Sequence, residues 1–270
     1  MNSSISKYNA LHCVRTARPL VHNITNYVVM NWTANCLLAI GASPLMSHAL
    51  EEQEAMTQIC HALVINIGTL DAPWSASMKA AMHAACKNDK PIIFDPVGAG
   101  ASEFRTQTCL SLLRSTSPTV IRGNASEILA LAGHSHTSRG VDSNADSTSA
   151  IEAAKKLAQT FQCVVCVSGQ IDYIVNAKHI ACVHNGHEMM TRVTGMGCAA
   201  TALIGAFVAL QPNSVFDATL SAMVVTDVAG ELAQQRSQGP GTFQIHYLDA
   251  LHNLTEESLT QMQRVTYESF

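Results

Sequence analysis

The run Ala62-Leu-Val-Ile-Asn-Ile-Gly68 is apolar at nearly every position and does not alternate polar with apolar side chains. A strand that faces water on one side alternates, whereas one covered on both sides does not. This run therefore reads as a strand inside a parallel sheet. Moving outward, the same signature returns at Pro91–Asp95 (PIIFD), Pro118–Arg122 (PTVIR) and Cys163–Ser168 (CVVCVS). Stretches of helical length lie between and after them: Trp74–Lys87, Glu103–Leu113, Ser126–Ala132 and Thr148–Phe161. This alternation predicts a three-layer α/β fold, a mostly parallel central sheet flanked by helices with right-handed crossovers. Ile171–Val175 and His179–Val183, split by Asn176-Ala-Lys178, read as an antiparallel hairpin. The chain then turns helical at Ala199–Leu210, Val215–Gln234 and Tyr247–Leu254. Gly133–Ser149, rich in Ser, Asp and His, reads as a surface loop. No internal repeat or long linker divides the 270 residues, so a single domain over 1–270 is expected.

Apolar residues make up 47% of the chain and charged ones 13%, enough burial to offset the entropy of ordering. The net charge of −4 carries no footprint for DNA or RNA. The longest apolar stretches, Val28–Ile40 and Ala199–Leu210, fall short of the roughly 20 residues a bilayer requires. The opening Met1–Asn26 shows no signal-peptide core. A cytoplasmic protein without membrane attachment is expected. The nine cysteines are an odd number in apolar contexts, which suits reduced thiols. Cys163 and Cys166 resemble a C-x-x-C motif, but side chains three apart on a strand point to opposite faces and read as core.

In open α/β sheets ligands bind beyond the carboxyl ends of the strands. The polar residues there carry the functional information. Asp95 precedes a Gly-rich turn, Asp95-Pro-Val-Gly-Ala-Gly100, and either holds a cation near a phosphate or bonds its own backbone. Arg122 can meet a phosphate with its planar fork. Asn124 and Glu127 have capping-box spacing, and a first-turn Glu there also faces the ligand crevice. Ser168 either bonds a phosphate or ribose or starts a turn. In Val193-Thr-Gly-Met-Gly-Cys198 two glycines precede a small-residue helix, so backbone N–H groups can converge on an anion, with Thr194 adding a hydroxyl. A close-packed helix start also explains them. Cys198 falls in that helix's first turn, where a thiol pKa can be lowered. His134 and His136 lack a third ligand. His22-Asn-Ile-Thr-Asn26 precedes an apolar helix, and its asparagines either bond a substrate or cap that helix. Met46 reads as core packing on its own.

In this order and spacing, these segments resemble the hydroxyethylthiazole kinase family, which has a ribokinase-like fold. The likeness runs from Pro19 to Leu254. It rests on His22–Asn26, Gly41-Ala-Ser-Pro-Leu-Met46, Asn66-Ile-Gly-Thr69, Asp95–Gly100, Arg122-Gly-Asn-Ala-Ser-Glu127, Gly140-Val-Asp-Ser143, Thr194–Cys198 and Gly239-Pro-Gly-Thr-Phe243. The resemblance implies transfer of a phosphoryl group from ATP, with Mg²⁺, to the hydroxyl of 4-methyl-5-(2-hydroxyethyl)thiazole in thiamine salvage. It places ATP at Arg122, Ser168, Thr194 and Gly197, the metal at Asp95 and Glu127, and the thiazole at Met46, Gly195 and Asn26. Cys198 stands where related sugar kinases carry a catalytic aspartate, and it either accepts the hydroxyl proton or orients the hydroxyl. Trimers with sites between subunits are implied too. Met196 departs from the Thr that many members carry.

Rival readings are a hydroxymethylpyrimidine kinase of the same superfamily, a hydrolase pairing Cys198 with His184 or His187, and a nucleotide-binding module without turnover.

Overall fold

The computed structural model describes residues 9–133 and 143–268. One sheet runs through them, with strands β1 (Leu20–Ile24), β2 (Ser43–Met46), β3 (Ala62–Asn66), β4 (Ile92–Asp95), β5 (Val120–Asn124), β6 (Val164–Ser168), β7 (Asp172–Val175), β8 (Ile180–Val183) and β9 (Val265–Glu268). Their order is β2-β1-β3-β4-β5-β6-β7-β8-β9. From β2 to β6 neighbours are parallel, and from β6 to β9 they are antiparallel. The four expected parallel strands and the hairpin are present. β1, β2 and β9 were not foreseen.

Successive side chains of each central strand serve two different cores. On β3, Val64 faces a core formed with α1 (Ala10–Ala17), α2 (Met30–Ala39), α8 (Met196–Val208), α9 (Val215–Arg236), α10 (Pro240–Asn253) and α11 (Glu256–Met262). Leu63 and Ile65 face a core formed with α4 (Ala72–Lys87), α5 (Glu103–Ser115), α6 (Ala125–Leu131) and α7 (Ser143–Phe161). The short α3 (Gln53–Ile59) packs beside α4. Double-sided burial is why these strands lack alternation; each fully buried aliphatic side chain contributes about 1.5–3 kcal/mol. Cys163 and Cys166 enter opposite cores as free thiols.

The expected loop Gly133–Ser149 is corrected in part. Residues 134–142, with His134 and His136, lie outside the described residues, but Ser143–Ser149 already belongs to α7. Ser and Asp are poor in helix interiors yet well suited to first turns, so composition alone mimics a loop there. The last expected helix, Tyr247–Leu254, starts earlier, at Pro240, a residue preorganised for the first turn.

α8 positions the site. Almost every residue along it is buried, and its small side chains let it lie close over the sheet. A β-carbon on Gly205 would stand 3.0 Å from Val64 Cγ2. This close approach brings the amino end of α8 over the carboxyl ends of the parallel strands.

Candidate active site

The strand ends and α8 are joined by one line of polar contacts. Asn66, closing β3, donates from Nδ2 to Asp95 Oδ2 at 2.8 Å. Its Oδ1 accepts from Asn26 Nδ2 at 2.8 Å and from the Gly68 N–H at 3.0 Å. Asn26 Nδ2 also donates to Cys198 Sγ at 3.6 Å. Thr201, one turn further along α8, donates to Asp95 Oδ2 at 2.8 Å. Asn26 therefore does not cap α2: its Oδ1 accepts from the Val28 N–H, and its amide points into the site. Gly68 is needed beneath it, since a β-carbon there would lie 2.5 Å from Asn26 Nδ2.

Asp95 is almost fully buried, and its Oδ1 has no hydrogen-bond partner. Burial pushes its carboxyl up to about 6, with Arg122 pulling the other way and Glu127 adding to the rise. Glu127 makes the expected capping box with Asn124. Its Oε2 accepts from the Asn124 N–H at 2.8 Å, while its Oε1 reaches across to the Gly98 N–H at 2.9 Å. One carboxylate thus opens α6 and fixes the turn after β4.

Arg122 Nη2 donates to Ser168 Oγ at 2.7 Å, uniting the ends of β5 and β6. Burial works against the cation, but Asp95, Asp172 and Glu127 hold it charged. Gly197 must lack a side chain for Arg122 to lie there, because a β-carbon would come 2.4 Å from Nη1. Gly195 caps α8 at φ 85°, a left-handed conformation suited to glycine, and a β-carbon there would strike Val29 Cγ1 at 2.7 Å. Thr194 is exposed beside it.

The expectation that the helix start lowers the Cys198 pKa does not hold. Burial, with Asp95 nearby, pushes the thiol up to about 11 against its hydrogen bonds from Asn66 and Asn26. His187 Nδ1 accepts from the Met189 N–H, and His184 pairs with Thr266. Neither histidine bonds the Cys198 sulfur, to which the Asn26 side chain donates.

A cavity of about 1150 Å³ opens from Arg122, Ser168 and Gly197 towards Asn185, Met223 and Asp227. It has room for a large ligand, with Arg122, Ser168 and Asp227 as polar anchors. Met46 ends β2 at the outer edge of the sheet, half-buried and outside this cavity.

Three groups were missed by the sequence reading. Arg105 donates to the carbonyls of Ile67, Gly68 and Val97, tying the loops after β3 and β4 together. A cation in a helix's first turn opposes the dipole, and that was its signal. The other two, Asp172 and Asp227, are buried in the cavity wall, near enough to act on each other's ionisation; burial raises both, Asp227 more strongly. Asp227 sits in the mostly apolar middle of α9, Ala222–Gly230, which marks it as buried.

The family model described as the hydroxyethylthiazole kinase family matches residues 11–257. A hydroxyethylthiazole kinase of Syntrophus aciditrophicus is 51% identical over 258 residues, 95% of either chain. One from Oleidesulfovibrio alaskensis is 52% identical over 247 residues, 92% of either chain. The solved structure of a hydroxyethylthiazole kinase protein from Pyrococcus horikoshii superposes with a TM-score of 0.90 at 42% identity, covering 97% of this chain and 99% of that one. A Staphylococcus aureus pyridoxal kinase in complex with pyridoxal shares the fold, with a TM-score of 0.61 at 14% identity over 93% of this chain and 99% of its own.

Proposed function

The chain belongs to the hydroxyethylthiazole kinase family, and on that premise we infer how the mouth of its sheet works: it aligns ATP against the alcohol that the enzyme phosphorylates, hydroxyethylthiazole. The observation that carries the reading is the packing of the Arg122 guanidinium onto Gly197, which sets a half-buried cation at the amino end of α8, on the wall of a cavity with room for a nucleotide.

The nucleotide lies in that cavity, with its phosphates reaching Arg122, Ser168, Thr194 and the backbone N–H groups of Gly195–Cys198. The substrate oxygen attacks the γ-phosphorus, the bond from that phosphorus to the ADP oxygen breaks, and the hydroxyl proton leaves late. Such a transfer depends mainly on alignment and charge neutralisation. A thiol raised to about 11 is neutral at pH 7 and has no site for a second proton. Cys198 accordingly orients the hydroxyl, with Asn26 fixing its sulfur, and the proton passes to the departing phosphate ester.

Asp95 and Glu127 fit a magnesium ion. Asp95 Oδ1 is buried without a partner, and each Glu127 oxygen accepts one N–H and keeps a lone pair. No cluster of three or more potential metal ligands occurs among the described residues, but Mg²⁺ usually takes only one or two carboxylates and fills its shell with phosphate and water. When bound, the ion supplies charge neutralisation to the triphosphate.

Met46 and Gly195 border the thiazole. Tyr27 and Val28, 62% and 64% exposed, adjoin Asn26. Tyr27 meets Trp74 edge-on, and His48 stacks on Trp74, two residues before exposed Leu50. This apolar margin supports an interface at which a second copy closes the alcohol side, and the homotrimer that the resemblance implies is the assembly proposed; sedimentation tests it, and a monomer active at assay concentration overturns it. Free thiols throughout the described residues support a cytoplasmic setting. No helix among those residues is long and apolar enough to cross a membrane.

The deciding measurement is ADP release with the thiazole alcohol, with and without Mg²⁺, beside hydroxymethylpyrimidine. Magnesium-dependent turnover on the thiazole is expected, and preferential turnover on the pyrimidine overturns the reading.

A further inference from the structure

We propose that His22 is a positioning residue for the alcohol side of the site, holding the backbone immediately after Met46 so that the Met46 side chain keeps a fixed place. The proposal rests on the reading of Met46 as a thiazole contact.

His22 lies on β1 with no solvent exposure. Its Nε2 is 3.0 Å from the Ser47 carbonyl oxygen. A carbonyl only accepts, so Nε2 carries the hydrogen. The other ring nitrogen, Nδ1, is buried without a partner. Burying an imidazole with one nitrogen unsatisfied costs more than burying a leucine of similar volume. Packing alone therefore does not account for the residue; the bond to Ser47 does.

That bond is one of a set. The Ser47 hydroxyl donates to the Glu52 carboxylate. Ser77 Oγ, on α4, donates to the His48 carbonyl at 2.6 Å, and Gln53 Nε2, on α3, donates to the Ala49 carbonyl at 2.7 Å. Three consecutive carbonyls after Met46 thus each accept from a side chain of a different element. The strand itself cannot provide this rigidity. β2 is at the edge of the sheet and pairs only with β1, with Asn23 opposite Met46, and Pro44 lacks a donor. An edge strand of four residues needs anchoring from beyond its end, and His22 provides the anchor nearest to Met46. Because a small neutral ring is recognised by shape, a wandering Met46 weakens alcohol binding and leaves nucleotide binding intact.

The experiment compares His22→Leu, which keeps bulk and loses the donor, with His22→Gln, whose amide nitrogen reaches as far as Nε2, and His22→Asn, which falls short. Expected are a rise of about tenfold in the KM for the thiazole alcohol in His22→Leu and His22→Asn, return to within about threefold of wild type in His22→Gln, and a KM for ATP unchanged in all three. If His22→Leu does not fold, the Gln–Asn contrast carries the same test. An unchanged thiazole KM, an equal rise for both substrates, or no rescue by Gln overturns the proposal. Met46→Ala is run alongside. If it leaves the thiazole KM unchanged, the Met46 reading fails and this proposal with it. If it raises the KM while the His22 variants do not, this proposal alone fails.

Discussion

Gly197 and Arg122 meet so closely that a single methyl group on the glycine would stand 2.4 Å from the guanidinium Nη1. The contact passes between α8 and β5 and leaves Arg122 Nη2 on Ser168. In Gly197→Ala the guanidinium must move and the Ser168 bond lengthens. The expected result is a rise of about tenfold in the KM for ATP with the thiazole KM preserved. Steady-state kinetics with each substrate varied checks it, and an unchanged ATP KM would remove Arg122 from the phosphate site.

Glu127→Gln replaces one carboxylate oxygen by an amide that faces an N–H donor, at Gly98 or at Asn124. Turnover at saturating MgATP is expected to fall strongly, together with a loss of about 1–3 kcal/mol in stability for the spoiled bond. Kinetics and denaturant melts read the two effects separately. Wild-type turnover would take Glu127 out of the mechanism.

Both ends of the Asn66 amide are used, so Asn66→Leu leaves Asp95 Oδ2 with Thr201 alone and Asn26 Nδ2 with only the Cys198 sulfur. A stability loss of about 1–3 kcal/mol is expected, with a fall in kcat larger than any change in KM. Denaturant titration together with kinetics checks this; unchanged turnover would separate the polar line from catalysis.

The Cys198 thiol, raised to about 11, should alkylate slowly near neutrality and about tenfold faster per pH unit as the thiolate fraction grows. Site-resolved mass spectrometry after iodoacetamide treatment distinguishes it from exposed Cys86. Rapid alkylation levelling off near pH 7 would return Cys198 to the role of a thiolate base.

Asp227 shares its contact with Asp172, and its folded pKa lies well above the ordinary carboxylate value of 3.8. The folded state therefore binds more protons than the unfolded state above that value. This contribution to stability is complete below 3.8 and is lost as pH rises through the folded pKa. Asp227→Asn keeps the side chain's shape beside Asp172 and has no such proton to lose. Its melting temperature is expected to fall less than that of the wild type between acidic and mildly alkaline pH; parallel curves would contradict the pairing.

The strands β3 to β6 were legible because burial on both faces leaves an unbroken apolar run, and their polar terminal residues pointed to Asp95, Arg122 and Ser168. β1 and β2 were hidden because polar or imino residues break their short apolar runs: His22 and Asn23 interrupt one, Ser43 and Pro44 the other. β9 is exposed at three of its four positions and so carried little apolar signal. The role of Glu127 was readable from its spacing to Asn124, although the reach to Gly98 was not, since it depends on where β4 and β5 lie in space. The acid pair escaped for the same reason. Asp172 and Asp227 are far apart in the chain, and only the packing of α9 on β7 makes them neighbours.

The chain of amides from Cys198 through Asn26 and Asn66 to Asp95 contains no loose joint. With the alcohol at the sulfur end and the nucleotide's metal at the carboxylate end, as proposed above, this line is the route by which one substrate would sense the other. If alcohol and nucleotide are coupled through it, each changes the other's hold on the enzyme by an equal factor, whichever arrives first.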